Sequence, residues 1–314
     1  MKYSFVLPAY KARFLKEAID SILAQTYTDF ELIIVNDASP EDLDSIVHSY
    51  DDPRIQYYIN EENIGGKDLV RQWNHSISYA DGEYLILASD DDVYSADYLK
   101  KMNTLIEKYP HVSVFRPQIQ IINEYGSIIY KYECIKEYTT QIEFFYSWMK
   151  SKIGSGIAYY IFKRTDIIKI GGFINFPCAW GSDDATVITL SRNGACFYKE
   201  QLFSFRLSGE NITSRLNTPI LLKQKIQAYI MFEQWIKREI GNMVAKNLTE
   251  YQLLIEIKND QHKFIAALTR DVLNKSSLLA IIRNIRLILS LEAPIIKPLI
   301  KVIIKKCFFS NAQL

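Results

Sequence analysis

The sequence lacks the residues on which disulfide-bonded and zinc-binding domains depend. It has four cysteines in 314 residues, none of them in a CxxC pair, and its four histidines show no metal-ligand spacing. Free thiols are typical of a reducing compartment, so we expect a cytoplasmic protein. Zinc modules and disulfide scaffolds are excluded as fold classes.

Long apolar runs, a strong net charge and phosphate-loop glycines are missing too. No stretch of about 18 apolar residues is free of charges, and the apolar run at the N-terminus is too short for a signal peptide. The formal net charge of +1 provides no field that would recruit nucleic acid. Neither GxxxxGK[ST] nor GxGxxG occurs, which argues against P-loop and dinucleotide-binding sites.

The first 110 residues alternate between strand-like and helix-like patterns. The patterns predict strands at 3–7, 31–35, 55–59 and 84–88, and helices at 14–25, 67–80 and 98–108. Ser39 is expected to cap a further short helix, with Pro40 at its first position. Such alternation predicts an α/β fold with a mostly parallel central sheet and helices on both faces.

The rest of the chain divides into two parts. Residues 111–210 are less regular, with a helix predicted at 141–150 and glycines at 154, 156, 171 and 172. From Pro219 onward the pattern is helical, at 220–244, at 250–273 and after Ser276. We expect an α/β domain over 1–215, with halves at 1–110 and 111–215, and a helical C-terminal region over 216–314.

Three polar segments follow predicted strands, at residues 8–10, 36–39 and 89–92. Ligands of α/β sheets bind outside the carboxyl ends of the strands, so these segments should meet along one rim. The last contains Asp90-Asp91-Asp92, whose mutual repulsion favours a neutralising cation such as Mg²⁺ or Mn²⁺ bridging to a phosphate. The alternative is a solvated loop or a helix N-terminus, where acids are also stabilised.

Other polar residues in similar positions have two interpretations each. Asp37 follows a strand, and its carboxylate can accept hydrogen bonds from a nucleobase or form a turn with Ser39. Arg206 follows a β-rich run and suits a diphosphate, or a surface ion pair.

A second acidic group, Asp183-Asp184, follows Trp180. An indole can stack on a pyranose ring, and a carboxylate can take a proton from a hydroxyl. The structural alternative is a helix start, with Ser182 as the N-cap and the acids in the first turn. The two interpretations are compatible.

These blocks, in this order, resemble glycosyltransferase family 2, the inverting GT-A enzymes. The blocks are residues 4–10 (SFVLPAY), 14–26 (FLKEAIDSILAQT), 31–39 (ELIIVNDAS), 62–66 (ENIGG), 81–84 (DGEY), the acidic triplet, 170–173 (IGGF) and 182–184 (SDD). The resemblance covers about residues 3–215, with a nucleotide-binding half at 1–110 and an acceptor half at 111–215.

The resemblance implies transfer of a sugar, with inversion, from a nucleotide-sugar donor to a hydroxyl of a glycan or lipid-linked acceptor. It further implies a UDP-sugar, Mn²⁺ or Mg²⁺, and surface-polysaccharide or lipopolysaccharide synthesis in a bacterium. It assigns the donor site to Pro8, Ala9, Tyr10, Asp37, Asn63, Arg71, Asp90 and Arg206, the metal to Asp91 and Asp92, the acceptor to Trp180, and the catalytic base to Asp184 or Asp183.

Two positions depart from the family pattern. Ser89 stands where many members have the first acid of the motif, and Ser208 stands where many have a metal-binding histidine. These departures keep open a non-catalytic homologue that binds a sugar nucleotide. A different sugar-nucleotide-processing enzyme is the other alternative. Retention of Asp91 and Asp183-Asp184 favours the transferase.

The tail at 277–308 is basic and amphipathic. It carries six lysines and arginines against one acid, Glu292. Its apolar face comprises Leu278, Ile281, Ile282, Ile285, Ile288 and Leu289, and a stripe of Lys297, Lys301 and Lys305 follows. Such a segment can lie on the anionic inner face of the plasma membrane or pack against the catalytic domain, and both interpretations stay open.

Overall fold

The computed structural model describes residues 1–132, 136–151, 153, 156–209 and 217–309, with the backbone alone at 305 and 307–309. The strands are β1 Tyr3–Ala9, β2 Phe30–Asn36, β3 Ile55–Ile59, β4 Tyr84–Leu87, β5 Val93–Tyr94, β6 Val114–Asn123, β7 Ile128–Lys131, β8 Tyr138–Thr139, β9 Ile161–Lys163 and β10 Ala195–Leu207. The helices are α1 Leu15–Leu23, α2 Leu43–Val47, α3 Leu69–Ile77, α4 Tyr98–Lys108, α5 Gln141–Met149, α6 Arg164–Lys169, α7 Ser182–Leu190, α8 Pro219–Asn242, α9 Leu248–Asn274, α10 Leu278–Arg283, α11 Ile285–Leu289 and α12 Ala293–Phe309.

One mixed sheet forms the centre, with the strand order β3-β2-β1-β4-β9-β6-β10-β5. The pairs among β3, β2, β1 and β4 are parallel, as the alternating N-terminal pattern predicts. Every residue of β2 and of β4 is buried, so both faces of these strands are covered by other elements. The pairs of β9 with β4 and with β6 are antiparallel, whereas β6 and β10 are parallel.

The start of α2 differs from the sequence prediction. Asp42 is the N-cap, because its side chain accepts a hydrogen bond from the Ser45 amide. The Ser39 hydroxyl instead donates to the Tyr10 carbonyl at 2.6 Å. Ser39 therefore connects the ends of β1 and β2, and the prediction that it caps a helix is wrong.

The C-terminal helices pack on the α/β part as well as on one another. Leu222, Ile226 and Phe232 of α8 are buried, and α12 buries Ile295 and Leu299. The predicted boundary at 215/216 falls within 210–216, outside the described residues. Among the residues that are described, no helix is both long and apolar enough to span a bilayer.

Cys178 and Cys196 are free thiols in this structure. Cys134 and the side chain of Cys307 lie outside the described part of the chain.

Candidate active site

The three polar segments that follow β1, β2 and β4 meet at one rim of the sheet. The Tyr10 and Lys11 amides donate to Asp90 Oδ2 at 2.9 and 2.8 Å, so the end of β1 binds the loop after β4. The Asp37 amide donates to the Ala9 carbonyl at 3.0 Å, which joins β2 to β1. Pro8 and Ala9 are the last residues of β1, and Tyr10 is exposed beyond them. The predicted rim is therefore present.

Asp37 organises the loop that carries Asn63. Its Oδ1 accepts hydrogen bonds from the Asn60 side chain and the Ile64 amide, both at 2.8 Å, and its Oδ2 accepts one from the Gly65 amide at 2.7 Å. A carboxylate has about four acceptor positions, so one is left on Oδ2 for a nucleobase donor. Three of the four hydrogen-bond positions of Asp37 are therefore occupied by groups of this loop.

Asn63 and Arg71 flank this loop at the N-terminal end of α3. The Asn63 side-chain oxygen accepts a hydrogen bond from the Gly66 amide and so tightens the turn. Arg71 is exposed, and its backbone amide donates to the N-cap residue Asp68. None of the described residues forms an ion pair with the Arg71 guanidinium, which leaves it available to an anionic ligand.

Asp90 and Asp91 supply the oxygen atoms that suit a cation. Within the described ranges, no hydrogen bond reaches Asp90 Oδ1 or Asp91 Oδ2, whereas Asp91 Oδ1 accepts one from the Ser89 hydroxyl at 2.5 Å. Burial raises the pKa of Asp90, against the two amide hydrogen bonds that lower it. Two close carboxylates with little solvent fit a divalent cation with oxygen ligands. Ser89 orients Asp91 in place of the missing acid.

Asp92 lies differently and does not fit the predicted metal role. It is 1% exposed, and its Oδ1 accepts a hydrogen bond from the Arg206 amide at 2.9 Å. Burial, and after it the charge of Asp91, raises the pKa of Asp92 well above its usual range. Asp92 thus fixes β10 under the rim, and Asp90 is the better partner of Asp91.

The prediction that Arg206 contacts a diphosphate is not supported by its position. The guanidinium is buried, with Nε donating to the Asp91 carbonyl at 2.8 Å and Nη2 2.7 Å from Glu17. It also lies 4.4 Å from the centre of the Phe14 ring. Arg206 therefore supports the acidic loop, because its buried guanidinium bonds to the loop backbone and pairs with Glu17, which is half exposed.

The acids Asp183 and Asp184 lie in the first turn of α7, as predicted. Gly181, and not Ser182, is the N-cap residue, while the Ser182 hydroxyl accepts a hydrogen bond from the Phe176 amide at 3.0 Å. Asp184 Oδ1 accepts a hydrogen bond from the Trp148 indole at 2.7 Å. This bond orients one of the two candidate bases.

Tyr159 connects the acid pair to the rim. Burial raises the pKa of Tyr159 well above its usual range, and the charges of Asp92 and Asp183 both add to the increase. The phenol is thus within electrostatic reach of both acidic groups. The segment Ile157–Tyr159 contacts both β4 and α7, so the structure brings the two predicted acidic sites, about 90 positions apart in the chain, close to one side chain.

Trp180 is partly exposed beside the acid pair. The Lys225 ammonium lies 3.9 Å from the centre of its ring and covers one face. The indole also lies near the Tyr229 phenol, whose pKa it lowers against the larger effect of burial, which raises that pKa. Only the opposite face can take a sugar ring, so the predicted stacking is restricted to one side.

The sequence interpretation missed Trp148, Lys225 and Tyr229 as residues of this site. Trp148 and Tyr229 carry ordinary apolar patterns on predicted helices, and no local signal indicates which side chains they contact. The helical spacing of Lys225 and Tyr229 places them on one face of α8. That spacing is the one sequence signal that could have indicated that Lys225 and Tyr229 belong to the same site.

A different group of metal-ligand side chains occurs among the C-terminal helices. Donor atoms of Glu233, His262 and Glu292 lie within 4.8 Å of one another, the one such group in the described ranges. Lys237 contacts both carboxylates, so a protein cation already balances part of their charge. The rim therefore remains the preferred place for the predicted metal ion.

A profile described as Glycosyl transferase family 2 matches residues 4–166. The chain belongs to this family. The match covers β1 to β9 and therefore the whole rim, and it ends before Trp180 and the acid pair. It confirms the resemblance seen in the sequence and, at the level of the family, the prediction of a glycosyltransferase.

Similar proteins carry glycosyltransferase names. Over 112 residues, or 35% of this chain and 34% of the relative, the chain is 36% identical to the glycosyltransferase RT0329 of Rickettsia typhi. It is 33% identical over 129 residues to EpsE of Bacillus subtilis, named as a glycosyltransferase, covering 40% of this chain and 45% of EpsE. The matches thus span less than half the length of these relatives.

Solved structures extend the likeness to the whole chain. TarS 1-349 of S. aureus in complex with UDP-GlcNAc aligns with a TM-score of 0.67 and 17% identity, over 97% of this chain and 91% of TarS 1-349. A mannosyltransferase of Pyrobaculum calidifontis in complex with GDP-Man and Mn²⁺ aligns with a TM-score of 0.54 and 16% identity, over 99% and 88%. At these identities the likeness concerns the fold, and it confirms the predicted GT-A architecture with a helical C-terminal region.

Proposed function

We propose that this protein transfers a sugar from a nucleotide-sugar donor to an acceptor hydroxyl with inversion of the anomeric carbon. The observation that carries the proposal is that the acidic triplet after β4 and the pair Asp183-Asp184 of α7 both lie near Tyr159, through Asp92 and Asp183, in a segment that contacts both elements. A nucleotide-diphosphate donor needs charge neutralisation on one side and a proton acceptor on the other. The family match and the fold support the same reaction.

In this proposal the donor lies along the rim, with its base near Asp37 and its diphosphate near Asp91. Asp37 has one acceptor position left, and Arg71 is exposed in the first turn of α3, the helix that follows the loop bound by Asp37. Structures of the neighbours hold UDP-GlcNAc and GDP-Man, so both bases occur on this fold. The unused carboxylate position suits the N–H groups of either uracil or guanine. We propose a UDP-sugar because the neighbour with the higher TM-score holds UDP-GlcNAc.

Asp90 and Asp91 would hold Mn²⁺ or Mg²⁺, and a bound divalent cation would stabilise the negative charge of the departing nucleoside diphosphate. The Ser89 hydroxyl and the Tyr10 and Lys11 amides keep the two carboxylates in place. The rim residues thereby fix the donor before reaction, which lowers the entropic cost of alignment.

Asp184 is proposed as the base that accepts the proton of the acceptor hydroxyl. Trp148 fixes its carboxylate by the indole hydrogen bond, as an orienting group does for a general base. As Asp184 takes the proton, the acceptor oxygen forms a bond to the anomeric carbon, and the bond between that carbon and the diphosphate oxygen breaks. Asp183, in the same helical turn, is the alternative base.

The product stereochemistry tests this mechanism. Proton NMR of the first-formed product should show the anomeric configuration opposite to that of the donor. Retention of configuration would contradict a single displacement. Turnover should first be sought with UDP-GlcNAc, UDP-glucose, UDP-galactose and GDP-mannose against a panel of glycan and lipid-linked acceptors.

We further propose that the C-terminal helices dock the enzyme on an anionic membrane, where lipid-linked acceptors lie. Ile281 and Ile288 pack inward, so part of the predicted apolar face serves the domain. The outer face exposes Leu279, Ile282, Leu289, Ile300 and Ile304. Arg283, Arg286, Lys297 and Lys301 are interspersed with them and are also exposed. In the described residues none of these four cations has a carboxylate partner, and such a surface suits acidic lipid headgroups.

Vesicle sedimentation tests the docking surface. The wild-type protein should pellet with vesicles that contain phosphatidylglycerol and not with phosphatidylcholine alone. Replacing the four cations by glutamate should abolish this pelleting. The matched control makes the same change at four exposed lysines outside the C-terminal helices: Lys100, Lys131, Lys169 and Lys199. Equal loss in the control, or no loss in the first variant, would rule out a specific docking face.

A further inference from the structure

The turn that leads into the acid pair has a strained backbone. Cys178 and Ala179 have φ values of 50° and 58°, and Gly181 has a φ of 84°. Left-handed conformations are unfavourable for residues with a Cβ, so two in succession persist only where surrounding contacts hold them. The conformation of this turn sets the direction in which α7 begins and therefore the position of Asp183 and Asp184.

One face of α8 supplies the contacts that hold the turn. Lys225 covers the Trp180 ring, the Tyr229 phenol lies near the Trp180 indole, and Phe232 lies against Gly181. A Cβ at Gly181 would lie only 3.1 Å from a Phe232 ring carbon, so the packing there is tight. The three α8 residues follow helical spacing, which puts them on one side of the helix.

The same face of α8 also reaches the other support of the acid pair. The Phe232 and Trp148 rings meet edge to face with centres 5.9 Å apart, and Trp148 donates to Asp184. Trp148 also packs against Phe264 of α9, with 4.6 Å between the two ring centres. The acid pair is thus held from two directions by side chains that converge on the C-terminal helices.

Lys225 is the unexpected member of this group. It is 1% exposed, and no acidic side chain of the described ranges forms an ion pair with it. Burial lowers the pKa of Lys225. A buried ammonium is costly, and the indole face is the compensation that the structure shows. An apolar side chain of similar length would fill the same space, so the core does not require the charge.

We propose that Lys225 is a positioning residue, whose cation holds the Trp180 ring and thereby fixes the strained turn that presents Asp183 and Asp184. The inference rests on the proposed role of this acid pair in proton transfer. It assigns the C-terminal helical region a part in the reaction, beyond packing and membrane contact. Lys225 acts through Trp180 and does not itself contact the reacting atoms.

The test compares Lys225→Met and Lys225→Arg with a control, Lys223→Met. Lys223 is exposed on the same helix, two positions away. Hydrogen exchange followed by mass spectrometry should show residues 178–184 exchanging about tenfold faster in Lys225→Met than in the control. With a nucleotide sugar that the wild type turns over, kcat should fall about 10- to 100-fold, with the KM for the donor within about twofold. Lys225→Arg should restore both properties, because arginine keeps the cation–π contact.

Unchanged exchange in Lys225→Met, or equal kcat values for Lys225→Met and Lys223→Met, would overturn the proposal. A thermal unfolding scan identifies a variant that merely fails to fold, in which case Trp180→Leu provides the same loss of the ring contact from the other partner. Wild-type protein that turns over no nucleotide sugar would refute the proposed function instead. The exchange comparison would still decide whether Lys225 holds the turn.

Discussion

The two acidic parts of the site are built in opposite ways. The rim joins the ends of β1, β2 and β4 through short backbone-to-carboxylate hydrogen bonds, and all its residues lie within the first 92 positions. The pair Asp183-Asp184 is held by side chains of α5 and α8, which lie on either side of it in the chain. The rim depends on strand order, whereas the acid pair depends on long-range side-chain packing. Substitutions should therefore separate donor binding from proton transfer.

The largest effect is expected for the acid pair. Asp184→Asn keeps the hydrogen bond from Trp148 but loses the basic carboxylate, so kcat should fall about 10³-fold with UDP affinity unchanged. Steady-state transfer rates and calorimetry with UDP measure the two quantities. Asp183→Asn is the matched control, expected to lose about tenfold or less. The reverse order of the two losses would assign the base to Asp183.

The next effect concerns the rim. Asp91→Asn should weaken Mn²⁺-dependent UDP binding about 100-fold, because one of the two charged cation ligands is lost. Titration calorimetry with UDP, with and without Mn²⁺, measures this loss. Asp92→Asn provides the control, since an amide oxygen can still accept the Arg206 amide, and its UDP affinity should match the wild type. Equal losses at both positions would place Asp92 in the metal site after all.

A smaller effect is expected at Arg206, and it appears in stability. Arg206→Met leaves the Asp91 carbonyl and Glu17 without their partner, which should lower the free energy of unfolding by about 3 kcal/mol. Urea denaturation measures the change. Arg71→Met, at an exposed position, should leave stability unchanged and lower UDP affinity. Loss of UDP affinity in Arg206→Met without loss of stability would restore the diphosphate role predicted from the sequence.

The smallest effect distinguishes the two free thiols. Burial raises the pKa of Cys178 to about 11 and that of Cys196 to about 12. The thiolate is the reactive form, so alkylation by iodoacetamide should accelerate about tenfold per pH unit between about pH 8 and 10, with Cys178 ahead of the fully buried Cys196. Peptide mass spectrometry assigns each rate. Labelling of Cys178 at the rate of a free thiol at pH 8 would contradict its packing in the strained turn.

The same pKa shifts give stability a direction at alkaline pH. A folded-state pKa above that of the unfolded chain means that the folded thiol keeps its proton longer. Stability contributed by these thiols is therefore complete below about pH 9 and is lost as the pH rises towards about 11. Cys178→Ser should reduce that alkaline loss.

The rim could be predicted from the sequence because each of its parts is local. At β1, β2 and β4 a short apolar run is followed directly by polar residues. In α/β sheets the carboxyl ends of parallel strands lie along one edge, so these polar residues are expected to be neighbours. The strand at Ile55–Ile59 and the helix at Tyr98–Lys108 have the bounds that the pattern predicts. The late antiparallel strands were not predicted, since short β-rich runs carry no information about their partners.

Side-chain direction accounts for the predictions that differ. The Arg206 side chain points into the core from β10 and binds the Asp91 carbonyl. It is therefore not exposed at the rim, where a diphosphate would bind. Ser39 precedes α2 and Ser182 is the first residue of α7, but their hydroxyls bond to the backbone of Tyr10 and Phe176 in neighbouring segments. Lys225 has the sequence appearance of a solvated lysine on a helix. Its burial depends on the Trp180 turn, 45 positions earlier, which no local pattern reveals.

The most direct test of the whole account is release of UDP from UDP-sugars in the presence of Mn²⁺. We predict that wild-type protein releases UDP from at least one UDP-sugar, and that Asp91→Ala and Asp184→Asn each reduce this rate about 100-fold or more. Asp184→Asn should still bind UDP, and Asp91→Ala should not bind it tightly. Tight Mn²⁺-dependent UDP binding by the wild type, with no release from any nucleotide sugar and any acceptor tried, would contradict the account and indicate a non-catalytic homologue.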